Sequence, residues 1–316
     1  MIQVILATLS PMLVLFFCMA TGFALKKFNV LPDNAGTVLS KLENYVFVPS
    51  LIFSTFLEHC NIKSISQNKM IFVYSILSLF VAIGLSFFLP YIFERKDAYK
   101  KNIYQYALAF GNFGFLGNAV VPAVLGGDEA LYVYLLFTLP YNAACYTWGI
   151  SLLIPKEHRS KNFFKNLINP VFIALAAGMV CGVLGIGKYI PSPVLTVLSN
   201  FKACMAPVAM LLMGFIIGGY KFTDIIKDKK LYFATVVRLF ILPAVICAVL
   251  YFARADIMTV TFCLFATATP FGLNSVIFPA AYGGDTKPGA GMALISHTLC
   301  VISIPVMYAL FQAIIG

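Results

Sequence analysis

The stretch GNFGFLGNAVVPAVLGGD, Gly111 to Asp128, decides how this chain folds. It lies inside an apolar segment long enough to cross a bilayer, yet it is poorly made for an unbroken helix. Gly111, Gly114 and Gly117 recur every third residue, Asn112 and Asn118 add amides, and Pro122 lacks a backbone donor. Within hydrocarbon, a broken helix survives only where neighbouring protein or a water-filled cavity satisfies the freed backbone groups. A second stretch, TATPFGLNSVIFPAAYGGD from Thr267 to Asp285, repeats the pattern, and both end in Pro-Ala-x-x-Gly-Gly-Asp. Pro122 and Pro279 lie 157 residues apart, close to half of 316. The expectation is two interrupted helices, one in each of two related halves, facing each other across a solute site.

Composition sets the class. Apolar residues make up 61% of the chain and charged residues 11%, with a mean hydropathy of +0.91. Soluble domains carry roughly a quarter charged residues, so the chain reads as a polytopic, all-α membrane protein with no soluble domain. Ten spans of about 20 residues or more are expected at Ile2–Leu25, Gly36–Leu57, Met70–Phe93, Ile103–Gly126, Ala130–Ile154, Asn166–Ile186, Pro193–Gly219, Leu231–Ala253, Ile257–Tyr282 and Ala290–Ile315. The first is read as a retained span, because it begins apolar with no basic leader.

The net charge of +10 reflects topology rather than a nucleic-acid partner. Fifteen of the Lys and Arg residues fall in loops on one side: Lys26 and Lys27, Arg95 to Lys101, Lys156 to Lys165, Lys221 to Lys230, and Lys287. Four fall on the other side: Lys63, Lys69, Lys188 and Arg254. The bias places the first side in the cytoplasm and both termini outside the cell membrane. The eight cysteines lie mostly in or beside spans and read as small packing residues.

Three proline pairs recur at nearly one offset: Pro11 with Pro170, Pro49 with Pro207, and Pro122 with Pro279. Five spans per half is an odd number, so the halves insert in opposite orientations, as in inverted-repeat transporters. The halves are 1–155 and 166–316, joined by a short loop at 156–165.

The breaks carry the chemistry. A half-helix that starts at a break offers unpaired N–H groups and a positive dipole end, which favour a polar or anionic solute. Asn118, Asn274 and Ser275 precede the two prolines closely and complete the site with neutral hydrogen bonds, with Asn142, Thr267 and Thr269 behind them. Of twelve carboxylates only Glu43 lies well inside a span, and intramembrane charges are costly and functional by default. Glu43 and Lys41 are therefore candidates for charge or coupling roles, with snorkelling as the alternative for Lys41. Arg238 lies about as deep and is expected to snorkel. Lys202 is deeper, precedes Pro207, and is expected as a counter-charge near the site. His297, mid-span, reads as a packing histidine or a proton carrier. Hydrolase, P-loop and zinc motifs are absent. Three histidines and scattered cysteines form no metal set, and no cofactor is implied.

The segments LSKLENYVFVPSLIF, GNFGFLGNAVVPAVLGG, NPVFIALAAG, APVAMLLMGFIIG and ATPFGLNSVIFPAAYGGD, in that order over the whole chain, resemble the auxin efflux carrier family. This family includes plant PIN-FORMED carriers and bacterial proteins labelled malonate or dicarboxylate transporters. The resemblance implies a five-plus-five inverted repeat with fourth and ninth helices crossing at their proline breaks, at Pro122 and Pro279 with Asn118 beside them. It also implies a homodimer and an elevator-type motion. Its scaffold would be 1–57 with 166–219, and its moving domain 70–154 with 231–316. The chain departs from the family pattern at Ser40 and Lys41, where Asn-Arg is usual, and at Glu43 and Asn44, where apolar residues are common. The expected function is transport of small organic anions such as malonate, malate or indole-3-acetate by elevator-type alternating access, in the direction of export. A sodium-coupled symporter of the bile-acid type and a non-transporting membrane sensor are the alternatives.

Overall fold

The computed structural model describes residues 2–155, 157, 168–220, 227–281 and 283–315. Most of the central loop, the start of the expected sixth span, Lys221 and Tyr282 lie outside the described residues. Every named element is a helix. The longer ones are α1 (Ile2–Lys27), α2 (35–59), α3 (Lys69–Phe93), α4 (Ala98–Ala109), α5 (Phe113–Leu125), α6 (128–153), α7 (Pro170–Val183), α8 (Ser192–Gly218), α9 (Lys229–Phe252), α10 (Ile257–Thr267), α11 (Asn274–Ala281) and α12 (Lys287–Ile315), with short turns of helix at Ile62–Gln67 and Ile186–Tyr189. Five of them, α1, α3, α8, α9 and α12, are each long and apolar enough to cross a membrane, and α5, α7 and α10 are shorter apolar helices. Large apolar side chains such as Leu6, Val14, Phe17, Phe80 and Phe88 point outward, as on surfaces that face lipid. The chain is a multi-pass membrane protein.

Short polar signals set the helix ends. Asp97, Asn169 and Asp256 accept hydrogen bonds from the first-turn N–H groups of α4, α7 and α10, and Pro170 follows its cap in a position that has no donor to lose. α5 stops at Gly126, whose φ of 102° lies in the left-handed region that glycine enters without penalty. Gly283 (φ 70°) has the same backbone after α11, so the shared Gly-Gly-Asp motif is a pair of helix stops.

α1 lies along α8, and α2 packs on α7 and α8; α3 packs on α6, α4 and α9, while α12 packs on α1 and α9. The α1–α8 seam is backbone against backbone. The buried face of α1 is Thr8, Met12, Leu15, Met19 and Gly22, spaced three or four residues apart as one helix face requires. A methyl group added at Gly22 would overlap the Leu211 carbonyl, and one at Gly214 would overlap that of Met19. Small residues that allow this approach are the usual glue between helices in lipid.

Among the described residues, four helices contain a single wide, π-type turn: Glu43–Phe47 in α2, Phe113–Gly117 in α5, Cys145–Gly149 in α6 and Val237–Ile241 in α9. Such turns gather at functional sites because they expose backbone and re-aim side chains. Here each one carries or adjoins a polar residue of the molecule's interior.

Candidate functional site

The two breaks meet. α4 ends at Ala109, Phe110 is extended, and Gly111 forms an isolated antiparallel bridge with Phe271, in the gap between α10 and α11. The Asn112 N–H donates to the Pro270 carbonyl (2.7 Å), and the Phe271 N–H donates to Ser296 Oγ on α12 (3.1 Å). Two carbonyls near the broken ends are taken by one side chain. Arg238 Nε donates to Thr269 O (3.0 Å) and Nη1 to Leu108 O (2.9 Å). The Phe113 carbonyl accepts from Tyr134 Oη at 3.1 Å. Protein groups thus satisfy the freed backbone, which is the condition for irregular chain inside a membrane.

This geometry corrects the expected position of the breaks. Pro122 lies inside Asn118–Leu125 and Pro279 inside Asn274–Ala281, and neither lines the cavity at the crossing. Each proline removes one internal helix bond, which a helix tolerates as a local distortion. The gaps themselves are made by Gly111–Asn112 and by Thr269–Gly272, where pairing between the two breaks replaces the helical bonds.

Beside the bridge is a cavity of about 60 Å³, room for about two waters. Among the described residues no charged side chain lines it. Its polar wall is five amides, Asn44, Asn112, Asn118, Asn142 and Asn274, with Tyr106, Tyr146 and Cys145. Asn118 is 4% exposed and its Oδ1 has no partner among the described residues, so this amide is not fully used by the fold. Asn142 spends one N–H on the Thr138 carbonyl, and Asn274 Nδ2 faces Cys145 Sγ at 3.9 Å. A second cavity of about 250 Å³ shares Asn44, Tyr146, Val171 and Asn274 with the first and extends past Ser40 to the exposed Lys41. Access from the crossing therefore runs toward the Lys41 face.

The remaining candidates fall elsewhere. Ser275 is fully buried and bonded to the Gly272 carbonyl, and Thr269 donates to Ala266 O; both shape the second break without lining the cavity. Lys202 is not a counter-charge at the crossing. It pairs with Asp128 at 2.6 Å, at the start of α6, in a cleft with Glu58, because its long stem reaches the helix end rather than the middle. Arg238 does not snorkel: it is 1% exposed, held inward by the two carbonyls. His297 is committed to the fold. Its Nδ1 faces the Ala293 carbonyl (2.8 Å) and its Nε2 faces Asn112 Nδ2 (3.0 Å), so the tautomer with hydrogen on Nδ1 satisfies both and braces Asn112.

Glu43 is fully buried and neither carboxylate oxygen has a partner among the described residues. Its π turn packs against α8 and α7. A charge buried unpaired costs several kcal/mol. Glu43→Gln is therefore expected to match or exceed the wild type in thermal unfolding in detergent; a clear drop in Tm would show a bond that the fold depends on.

The family model described as a membrane transport protein matches residues 7–308. The chain belongs to that family, the auxin efflux carriers that its motifs resemble. An uncharacterized transporter of Methanocaldococcus jannaschii is 26% identical to this family member over 208 residues. The match covers 64% of this chain and 66% of that relative, just under two thirds of its length. Membership in a transporter family agrees with a site built of amides and helix starts.

Tyr106, Cys145 and Tyr146 were not singled out by the sequence. Their signal was present in one respect, since a tyrosine in mid-span needs a partner for its hydroxyl, and Tyr106 Oη finds Cys145 Sγ at 3.1 Å.

Proposed function

We propose that this protein carries small organic anions across the cell membrane by alternating access, with the amide-lined cavity at the crossed breaks as the solute site. The observation that carries this reading is the meeting of two interrupted helices at an uncharged polar cavity. The starts of α5 and α11 supply N–H groups and positive dipole ends, and Asn118, Asn142 and Asn274 supply neutral hydrogen bonds. Such a site suits one or two carboxylates.

The correspondence of the elements with ten expected spans supports the five-plus-five inverted plan, with α4–α5 and α10–α11 as its fourth and ninth members. The packing of α1 on α8 and α2 on α7 supports a scaffold distinct from an elevator-type moving domain. The scaffold dimerises with a second copy, and the Lys41 face is cytoplasmic with both termini outside. A negative interior then drives anions outward by about 2.3 kcal/mol per charge per 100 mV, so export needs no coupled ion.

Proteoliposomes are expected to take up labelled malonate, malate or indole-3-acetate saturably. Asn118→Ala is expected to cut that flux by about tenfold, the loss of one good hydrogen bond to a charged group. Wild-type flux equal to empty vesicles for every anion would remove the proposal.

A further inference from the structure

The crossing contains a charge that the cavity wall does not show. Arg238 is 1% exposed and rises from the π turn of α9. Its guanidinium donates to Leu108 O, in the last turn of α4, and to Thr269 O, just past the end of α10. None of the ion pairs among the described residues includes it. It also presses on the cavity lining, because a methyl group added at Gly111 would overlap its Nη2, and Gly111 lines the cavity.

The electrostatic consequence follows from what a break is. Each interrupted helix presents a C-terminal end, worth about half a negative charge, beside an N-terminal start worth about half a positive one. Near the gap the two oppose each other, and an uncapped crossing has little net preference for either sign. Arg238 places one full positive charge against two half-negative ends. The α4 and α10 ends are neutralised, and the starts of α5 and α11 are left to act alone. Both starts contribute to the cavity wall, through Phe113 and Asn274. The cavity is thereby positive without a charged side chain in it.

The same two carbonyls bear on coupling. In carriers built from broken helices, unwound carbonyls and half-helix C-termini are the groups that coordinate a co-transported cation. Here Leu108 O and Thr269 O already hold the guanidinium. Resting on the carrier reading above, we propose that Arg238 is the specificity-determining residue of the site, a resident cation at the ends of both broken helices that makes the cavity select anions and takes the place of a coupling metal ion. It acts through the helix ends and does not itself touch the solute.

The test uses the full-length protein in detergent and in liposomes. Thermal unfolding of the wild type in sodium, potassium and choline chloride at equal ionic strength is expected to give one Tm. Arg238→Gln, which keeps a donor but loses the charge, is expected to gain a sodium-specific rise in Tm. It is also expected to lose preference for malonate over its neutral diamide by on the order of tenfold in competition with labelled substrate. Arg238→Lys keeps the charge and is expected to retain the preference and the indifference to sodium. A structural rivet would lower Tm in both variants without moving either preference. Sodium-specific stabilisation of the wild type, or a Gln variant with wild-type anion preference, overturns the proposal. Should the Gln variant not fold, the wild-type sodium comparison and the Lys variant still decide. Absence of any anion flux in the wild type would remove the carrier reading alone, because the sodium comparison needs no transport.

Discussion

Gly111→Val is expected to abolish transport and to lower stability by about 2–6 kcal/mol, the sum of overpacking and of a buried carbonyl left bare. Any side chain at this position enters space held by Arg238 Nη2 and Thr269 Oγ1. Neither can yield cheaply. The Thr269 hydroxyl is bonded to Ala266 O, and its own carbonyl accepts from Arg238. Swinging the guanidinium aside releases the carbonyls of Leu108 and Thr269, both buried residues. The valine would also strain the bridge to Phe271. Purified protein should show a depressed Tm and no anion flux, with Gly111→Ala intermediate. Wild-type melting and flux in the valine variant would mean that the crossing is looser than the Gly111 contacts require.

Gly214→Leu is expected to be at least as damaging, by a different route. The added Cβ falls on the Met19 carbonyl and near the Phe23 amide, so the obstacle is backbone and no rotamer change relieves it. α1 and α8 would have to separate, with loss of the contact that small residues give in lipid. The expected result is aggregated or degraded protein on size-exclusion after extraction. Gly84→Leu is the matched control. Gly84 also lies within a membrane helix, α3, but a side chain there meets nothing within 4 Å; a monodisperse, wild-type profile is expected.

The existence of two breaks was legible in the sequence because glycine, asparagine and proline crowd an apolar run where a plain span needs none of them. Their exact place was not. Pro122 attracts the eye because it lacks a donor, yet one missing bond bends a helix without ending it. The gap at Gly111 depends on Phe271, 160 residues away in the chain, and no local pattern reports such a partner. The same reason explains Arg238 and Lys202. Sequence gives the depth of a cation along its span but not the direction it faces, and direction decides between lipid headgroup, helix end and Asp128. Asn118, Asn142 and Asn274 were found because amides are rare in spans. Asn44 and Asn112 carried the same signal but were noted only as a family departure and as part of a motif. Glu43 stood out in the sequence as the carboxylate well inside a span, but its surroundings, a π turn against α8 and α7, required the assembled fold.

The stitching at the crossing has a mechanical consequence. Gly111 is bridged to Phe271, Asn112 to Pro270, and one guanidinium grips a carbonyl from each broken end. Neither gap can shift unless the other follows it. On the carrier reading proposed above, a molecule lodged between them would sit on a stiff joint whose two sides keep their spacing, and any deformation that releases it would have to be taken up outside the crossing.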